Sequence, residues 1–302
     1  MTDRSPATQV IFLGGLGRSG TTLLERLLGE QPGVTPLGEV VHLWERGVLG
    51  GEPCGCGEPL PSCAFWRKVG ECAFGGWAPD HARRVLVLRR RVDRTRRIAR
   101  IGHPDLGEYV DAYRRVYAAA AEVSGTATVI DSSKHASLAW CLSAGGIDVR
   151  VIHIVRDPRA VAHSWHRSVE RPEDGRPMTR WGPVHTSLQW NAQNLALDLL
   201  ATRGVPVVRV RYEDLLADPD ALLAGLAVEL GLDHRFPHVR DGVATLTVAH
   251  TASGNPMRFA VGAVELARDD GWRAGLPPRH RHLVAALTRP LMRRYGYAGE
   301  TA

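Results

Sequence analysis

The sequence predicts an α/β protein, a P-loop-like parallel sheet flanked by helices on both faces, and three observations carry the prediction. Short apolar runs rich in β-branched residues recur between helical stretches along the whole chain. The first run, Val10 to Leu13, passes directly into a glycine-rich loop and then a helix. The notable polar motifs fall at the carboxyl ends of these runs, where ligands gather in a parallel sheet.

In chain order, Val10-Ile11-Phe12-Leu13 reads as a buried strand, and Gly14, Gly15, Gly17 and Gly20 follow at once. Leu23, Leu24, Leu27 and Leu28 recur at helical spacing, which puts Thr21 and Thr22 at the helix N-terminus. Gln31-Pro32-Gly33 breaks that helix, and a short helix carrying Val40, Val41, Leu43 and Trp44 is expected after it. The Gly/Pro/Cys-rich stretch from Gly50 to Cys63 is too long for an idle connection and reads as a lid or substrate loop. Ala64 to Trp77 suggests a short helix. His81 to Arg100 suggests an arginine-rich helix with Val85, Leu88, Val92 and Ile98 inward, and Asp105 to Val123 another. Thr128 to Asp131 is a second strand that delivers Asp131-Ser132-Ser133-Lys134 into a turn. Arg150 to Val155 and Val205 to Arg211 are the third and fourth strands, with an amphipathic helix near Thr186 to Thr202 between them. A helix around Arg279 to Arg294 closes the chain. Without an internal repeat or linker, residues 1–302 read as one domain with a lid insertion near 50–63.

An apolar fraction of 44% and a charged fraction of 23% fit a soluble globular protein. No apolar run approaches the roughly 18 residues needed to span a bilayer. The polar start MTDRSPATQ enters the first strand directly, so a cytoplasmic protein with no membrane span is expected. The net charge of +6, mostly arginine, favours anionic ligands. No helix-turn-helix, zinc-finger or RNP-like pattern points to nucleic acid. Cys54, Cys56, Cys63, Cys72 and Cys141 are an odd set in a chain with no export signal. The segment CGCGEPLPSC could ligate zinc, but it lacks paired C-x-x-C spacing, and a loop of reduced thiols is the favoured reading.

Strand, glycine loop and helix form a cradle in which backbone amides and the helix dipole converge on a phosphate. Gly15 and Gly20 have the separation of the ATP-binding loop, but Thr21 stands where that loop places lysine, and the nearest cation is Arg18. An ordinary ATPase or GTPase is therefore disfavoured. A group that leaves without a metal, such as sulfuryl on a 5′-phosphate, suits the site better. A kinase-like phosphotransferase and a non-catalytic nucleotide or nucleic-acid binding module are the competing readings.

GRSGTTLL, spanning Gly17, Arg18, Ser19, Gly20, Thr21 and Thr22, resembles the 5′-phosphosulfate loop of sulfotransferases that use 3′-phosphoadenosine 5′-phosphosulfate (PAPS). The wider stretch from Gly14 to Glu39 resembles the opening of tyrosylprotein and related bacterial sulfotransferases. Asp157 as N-cap and Pro158 at the first helical position are helix-start chemistry, whereas Arg156 at the third strand's end and Ser164 on the following helix resemble the family's 3′-phosphate pair. Those relatives carry a further Arg four positions after the Ser; here Ser168 stands there, with Arg167 one place earlier. Tyr212, in Tyr212-Glu213-Asp214-Leu215, resembles a tyrosine beside the nucleotide. Arg258 lies in a stretch resembling the late loop that folds over PAPS.

The resemblance implies a sulfotransferase fold and in-line sulfuryl transfer from PAPS, as co-substrate and with no metal required, to a hydroxyl or amine acceptor. The acceptor is a small molecule, glycan, lipid or peptide. Arg18 and Lys134 would be the cations at the transferred group. For the base, Glu39 aligns with the glutamate of the tyrosylprotein group, and His42, three residues on, echoes the histidine of the cytosolic small-molecule enzymes. His153, inside an apolar strand, reads as a buried core residue.

Overall fold

Alternate residues of the first strand, β1 (Gln9–Gly14), enter different cores: Val10 and Phe12 one, Ile11 and Leu13 the other. A strand covered on both faces has that pattern, so the sheet lies inside the molecule. The computed structural model describes residues 8–98, 102–167, 179–297 and 299.

After β1 come α1 (Thr21–Gly29), the edge strand β2 (Val34–Pro36), and a 3-10 turn at Val40–His42 that runs into a π-helix at Leu43–Leu49. Then follow α2 (Ala64–Phe74), α3 (Pro79–Val92), α4 (Leu106–Ser124), β3 (Thr128–Lys134) and α5 (Ala136–Ala144). Next are β4 (Val149–Val155), α6 (Pro158–His166), α7 (Pro183–Thr202), β5 (Val207–Arg211), α8 (Tyr212–Ala217) and α9 (Pro219–Leu230). The chain ends with β6 (Val239–Arg240), β7 (Val243–Leu246), β8 (Gly262–Glu265), α10 (Trp272–Gly275) and α11 (Pro278–Arg294).

The main sheet has the order β2-β3-β1-β4-β5 with every neighbouring pair parallel. One core gathers Trp44, Trp66, Tyr113 and Leu138 from the α2–α5 side, and the other gathers Leu24, Leu27, Leu223 and Leu226 from α1 and α9. With β1 central, the carboxyl ends of β1, β3 and β4 open onto the same edge of the sheet, as expected for a ligand site.

Several elements depart from the sequence reading. β3 continues to Lys134 instead of turning after Asp131. Tyr117 Oη donates to Asp131 at 2.5 Å, and Ser133 donates its amide to the same carboxylate at 2.8 Å, so the polar run is satisfied inside the strand. β2 has only three residues and ends on proline, tolerable at a sheet edge and too short to show periodicity. The expected helix after Gly33 is the 3-10 and π pair at Val40–Leu49. α3 stops at Val92, with a separate 3-10 turn at Thr95–Arg97; residues 99–100 of the expected helix, and Ser168, lie outside the described residues. The antiparallel sheet β6-β7-β8 has no counterpart in the sequence reading, although Asp241-Gly242 is a hairpin signal and both residues have positive φ. No helix among the described residues is long and apolar enough to cross a membrane.

Candidate active site

Tight approach explains the glycines of the first loop. A Cβ on Gly20, at φ 93°, would collide with the ring of Tyr212, and one on Gly15 would lie 2.6 Å from the carbonyl oxygen of Ile154. Gly20 caps α1, which begins with the buried hydroxyls of Thr21 and Thr22. Ser19 is buried in the same turn, its amide donating to Leu16 O at 3.1 Å. The N-terminus of a nine-residue helix thus faces the cleft with its unpaired amides, a setting that favours an anion.

Arg18 takes a left-handed backbone, φ 76°, unusual for a non-glycine residue. Arg156 donates to the Arg18 carbonyl oxygen at 3.0 Å, and the Arg18 guanidinium lies 5.4 Å from the Trp165 ring centre. Trp165 in turn donates Nε1 to Gly17 O at 3.0 Å, so the helix after β4 holds the loop after β1. Burial lowers the pKa of Arg18, and Glu39 opposes that effect.

Lys134 is the second left-handed residue at the sheet edge, φ 72°. Its carbonyl accepts from Gly15 N at 3.3 Å and Gln193 Nε2 at 2.5 Å, contacts that hold the conformation against its intrinsic cost. The ammonium forms an ion pair with Glu39, and His42 Nε2 lies 3.5 Å from the other Glu39 oxygen. Burial pushes the Glu39 carboxyl up, but Lys134 and then His42 hold it below the usual carboxylate range. Burial, reinforced by Arg46, Arg89 and His135 against the opposing charge of Glu39, drives His42 down to about 3. The imidazole is therefore neutral near pH 7 and a weak proton acceptor.

One cleft of about 280 Å³ is lined by Arg18, Gly20, Thr21, Thr22, Lys134, Arg156, Ser164 and Tyr212. Residues expected at the 5′- and 3′-phosphates, distant in sequence, share this wall. The Arg156 guanidinium lies 4.6 Å from the Tyr212 ring centre and pairs with Asp269 at 2.9 Å. Glu39 and His42 stand behind Lys134 and are not part of the lining.

Arg258 is placed differently from the expectation. It is buried, donates to Glu52 Oε1 at 3.2 Å and lies over the ring of Phe259, while its neighbours Asn255 and Met257 line the cleft instead. Its structural partner is a carboxylate from the 50–63 region. His153 is buried and bonded to Asn194 Oδ1 at 2.8 Å.

Two supporting residues escape the sequence reading. Glu25, buried in α1, accepts from Gly38 N at 2.6 Å and Ser132 Oγ at 2.7 Å, joining the loop helix to the segment carrying Glu39. A signal for it exists: Glu25 lies four residues after Thr21, between Leu24 and Leu28 on the inner face of the helix. Arg26 beside it donates to Arg258 O at 2.7 Å and to Thr247 O, and no local pattern marks that role.

Residues 10–49 match the model of the Sulfotransferase family. Among solved structures, the fold is similar to the sulfotransferase domain from the curacin biosynthetic pathway, at 16% identity and TM-score 0.53, covering 97% of this chain and 98% of that one. A sulfotransferase from Alicyclobacillus acidocaldarius matches at 13% identity and TM-score 0.46, over 96% of this chain and 94% of that one. STF9 from Mycobacterium avium matches at 12% identity and TM-score 0.46, over 96% and 77% respectively. No curated protein sequence matches the chain. The parallel five-stranded sheet with its flanking helices is the sulfotransferase fold. The family match covers the strand, loop and helix that open the cleft, and the fold around it is similar to that of a sulfotransferase domain.

Proposed function

We propose that the chain transfers a sulfuryl group from PAPS to a hydroxyl or amine acceptor. The observation that carries this reading is the single cleft onto which Arg18, the α1 N-terminus, Lys134, Arg156, Ser164 and Tyr212 converge, with Glu39 directly behind Lys134. The residues fit a nucleotide with phosphate at both ends: one cationic group sits in the glycine loop, and a second sits against an aromatic ring at the end of β4. PAPS, when bound, supplies the activated sulfuryl group. The loop amides and Arg18 hold the 5′ end, Arg156 and Ser164 the 3′-phosphate, and Tyr212 flanks the nucleotide. Glu39 removes the acceptor proton, while Lys134 and Arg18 stabilise charge that gathers on the departing oxygen.

This chemistry needs no metal at the cleft and suits a cytoplasmic enzyme acting as one catalytic domain. A second cleft of about 390 Å³ is lined by Arg89, Arg90 and Arg94 together with Glu45, Asp93 and His135, the residue after Lys134; its arginines outnumber its carboxylates, which favours an acceptor carrying negative charge. The test is mass spectrometry of acceptor panels incubated with PAPS and enzyme, beside calorimetry of 3′-phosphoadenosine 5′-phosphate (PAP) against AMP. A gain of sulfate mass and a clear preference for PAP are expected. Equal affinity for PAP and AMP, or turnover that vanishes with EDTA and returns only with magnesium, overturns the reading.

A further inference from the structure

Three cysteines and one histidine outside the phosphate cleft meet at one point. Cys54, Cys56 and Cys63 come from the loop ahead of α2, and His250 comes from the segment after β7. Their four donor atoms, three Sγ and the His250 Nδ1, all lie within 4.8 Å of one another. Individual separations are 3.2 Å from Cys63 Sγ to His250 Nδ1, 3.6 Å from Cys56 Sγ to Cys63 Sγ and 3.8 Å from Cys54 Sγ to His250 Nδ1. Tetrahedral zinc, with Zn–S of about 2.3 Å and Zn–N of about 2.0–2.1 Å, spaces its donors by roughly 3.5–3.8 Å. These three separations lie within a few tenths of an ångström of that spacing, and the four donors converge closely enough to share one ion.

The surroundings hold these donors in place. Cys54 and Cys63 are fully buried. Cys63 is the N-cap residue of the 11-residue helix α2, which fixes its backbone. The His250 ring stacks on Phe65, with centroids 5.3 Å apart and planes 16° apart, so the helix that Cys63 caps also orients the histidine. The backbone closes the arrangement: Cys54 N donates to Glu58 O at 2.8 Å, Gly57 N to Cys54 O at 2.8 Å, and Gly55 N to Thr251 O at 2.9 Å. Cys72 takes no part, because its thiol lies 3.1 Å from Glu122 Oε2.

We propose that Cys54, Cys56, Cys63 and His250 form a structural zinc site that staples the 50–63 loop to residues 249–259. Three thiols lose their protons to solvent, neutral His250 donates its Nδ1 lone pair, and no electron changes hands. Three soft sulfur donors and one imidazole select zinc over magnesium or calcium. Four protein ligands complete the coordination and leave no open position for catalysis. The staple reaches the cleft through the backbone. Ala252 bridges to Cys54, gives its amide to Leu37 O at 2.7 Å and accepts the Glu39 amide at 2.8 Å, so the clamped segment also positions the proposed base.

The metal content of the full chain, purified under reducing conditions from zinc-supplemented cells, tests the site independently of any sulfuryl transfer. About one zinc per chain is expected, unchanged in Cys72→Ser and strongly reduced in Cys63→Ser and His250→Ala. Cobalt(II) exchanged into the wild-type chain should show the intense visible bands of tetrahedral thiolate coordination, a readout that stands even if the variants fail to fold. Removal of the metal by chelation should lower the melting temperature, and added zinc should restore it. A wild-type chain that takes up neither zinc nor cobalt, a weak octahedral cobalt spectrum, or a Cys56–Cys63 disulfide found in the native reduced preparation overturns the proposal.

Discussion

Glu39 and His42 touch, yet their surroundings push them toward different roles. Lys134 keeps the Glu39 carboxylate ionised, whereas burial leaves His42 neutral with an Nδ1 that has no partner among the described residues. Glu39→Gln keeps the side chain's size but cannot accept a proton, so turnover should fall by roughly 10²–10⁴ with PAP affinity changed only a few fold. His42→Gln should do much less. The base must be deprotonated to act, so activity should fall with pH only below the ordinary carboxylate range. An acid limb near the usual histidine pKa that disappears in His42→Gln would transfer the role to His42. The proposed 3′-phosphate clamp of Arg156 and Ser164 allows a comparison of its two members. Arg156→Ala should weaken PAP binding by about 1.5–3 kcal/mol. Arg156 also holds the Arg18 carbonyl, so part of that loss should appear with AMP. Ser164→Ala carries no such linkage and should weaken PAP alone; calorimetry showing equal losses for PAP and AMP in Ser164→Ala would remove Ser164 from the clamp.

At the scale of elements, the glycine loop works because β1, α1 and α8 approach more closely than a side chain permits. Gly20→Ala would force a non-glycine residue to φ 93°, a cost of ~1–3 kcal/mol, and would drive the new methyl into Tyr212. Gly33, at φ 82°, has nothing within 4 Å of the place a Cβ would take, so Gly33→Ala carries the conformational cost without the collision. Both variants should melt earlier, but only Gly20→Ala should lose PAP affinity. Unchanged PAP binding in a folded Gly20→Ala chain would mean that the Gly20–Tyr212 contact does not shape the site.

For the whole molecule, the cleft rests on carboxylates buried beneath it. Burial raises Glu25 to about 7 and Asp131 to about 6, even though hydroxyl and amide donors oppose the shift. A raised carboxyl pKa means the folded state holds its proton more tightly than the unfolded chain. The Glu25 contribution to stability is therefore complete below about pH 4.5 and is lost as pH rises through about 7. Glu25→Gln removes that dependence. Relative to wild type it should gain stability between about pH 5 and pH 8, by at most about 3 kcal/mol. Thermal melts at the two pH values check this, and an equal difference between the proteins at both would show that Glu25 does not titrate there. Asp131 is retained in both proteins, and its charge, which helps to raise Glu25, is part of the effect being read.

Features that depend on local order are legible in the residues alone. A continuous apolar run followed by glycines and a leucine-spaced helix specifies the β1 strand, the loop and α1, and Asp157-Pro158 specifies the start of α6, because each pattern is complete within a few residues. The parallel sheet followed from the same logic, since apolar runs separated by helices have few other ways to bury both faces. Which polar groups meet depends on the folded path of the chain. Lys134 falls on Glu39, Arg258 turns to Glu52, Glu25 reaches Ser132, and His250 joins three cysteines far earlier in the chain. Such pairs leave no periodic trace, because their separation is set by the path of the chain between them and not by the repeat of a helix or strand. CGCGEPLPSC looks incomplete as a metal site for that reason: its fourth donor stands on a segment that the sheet topology returns to the same place.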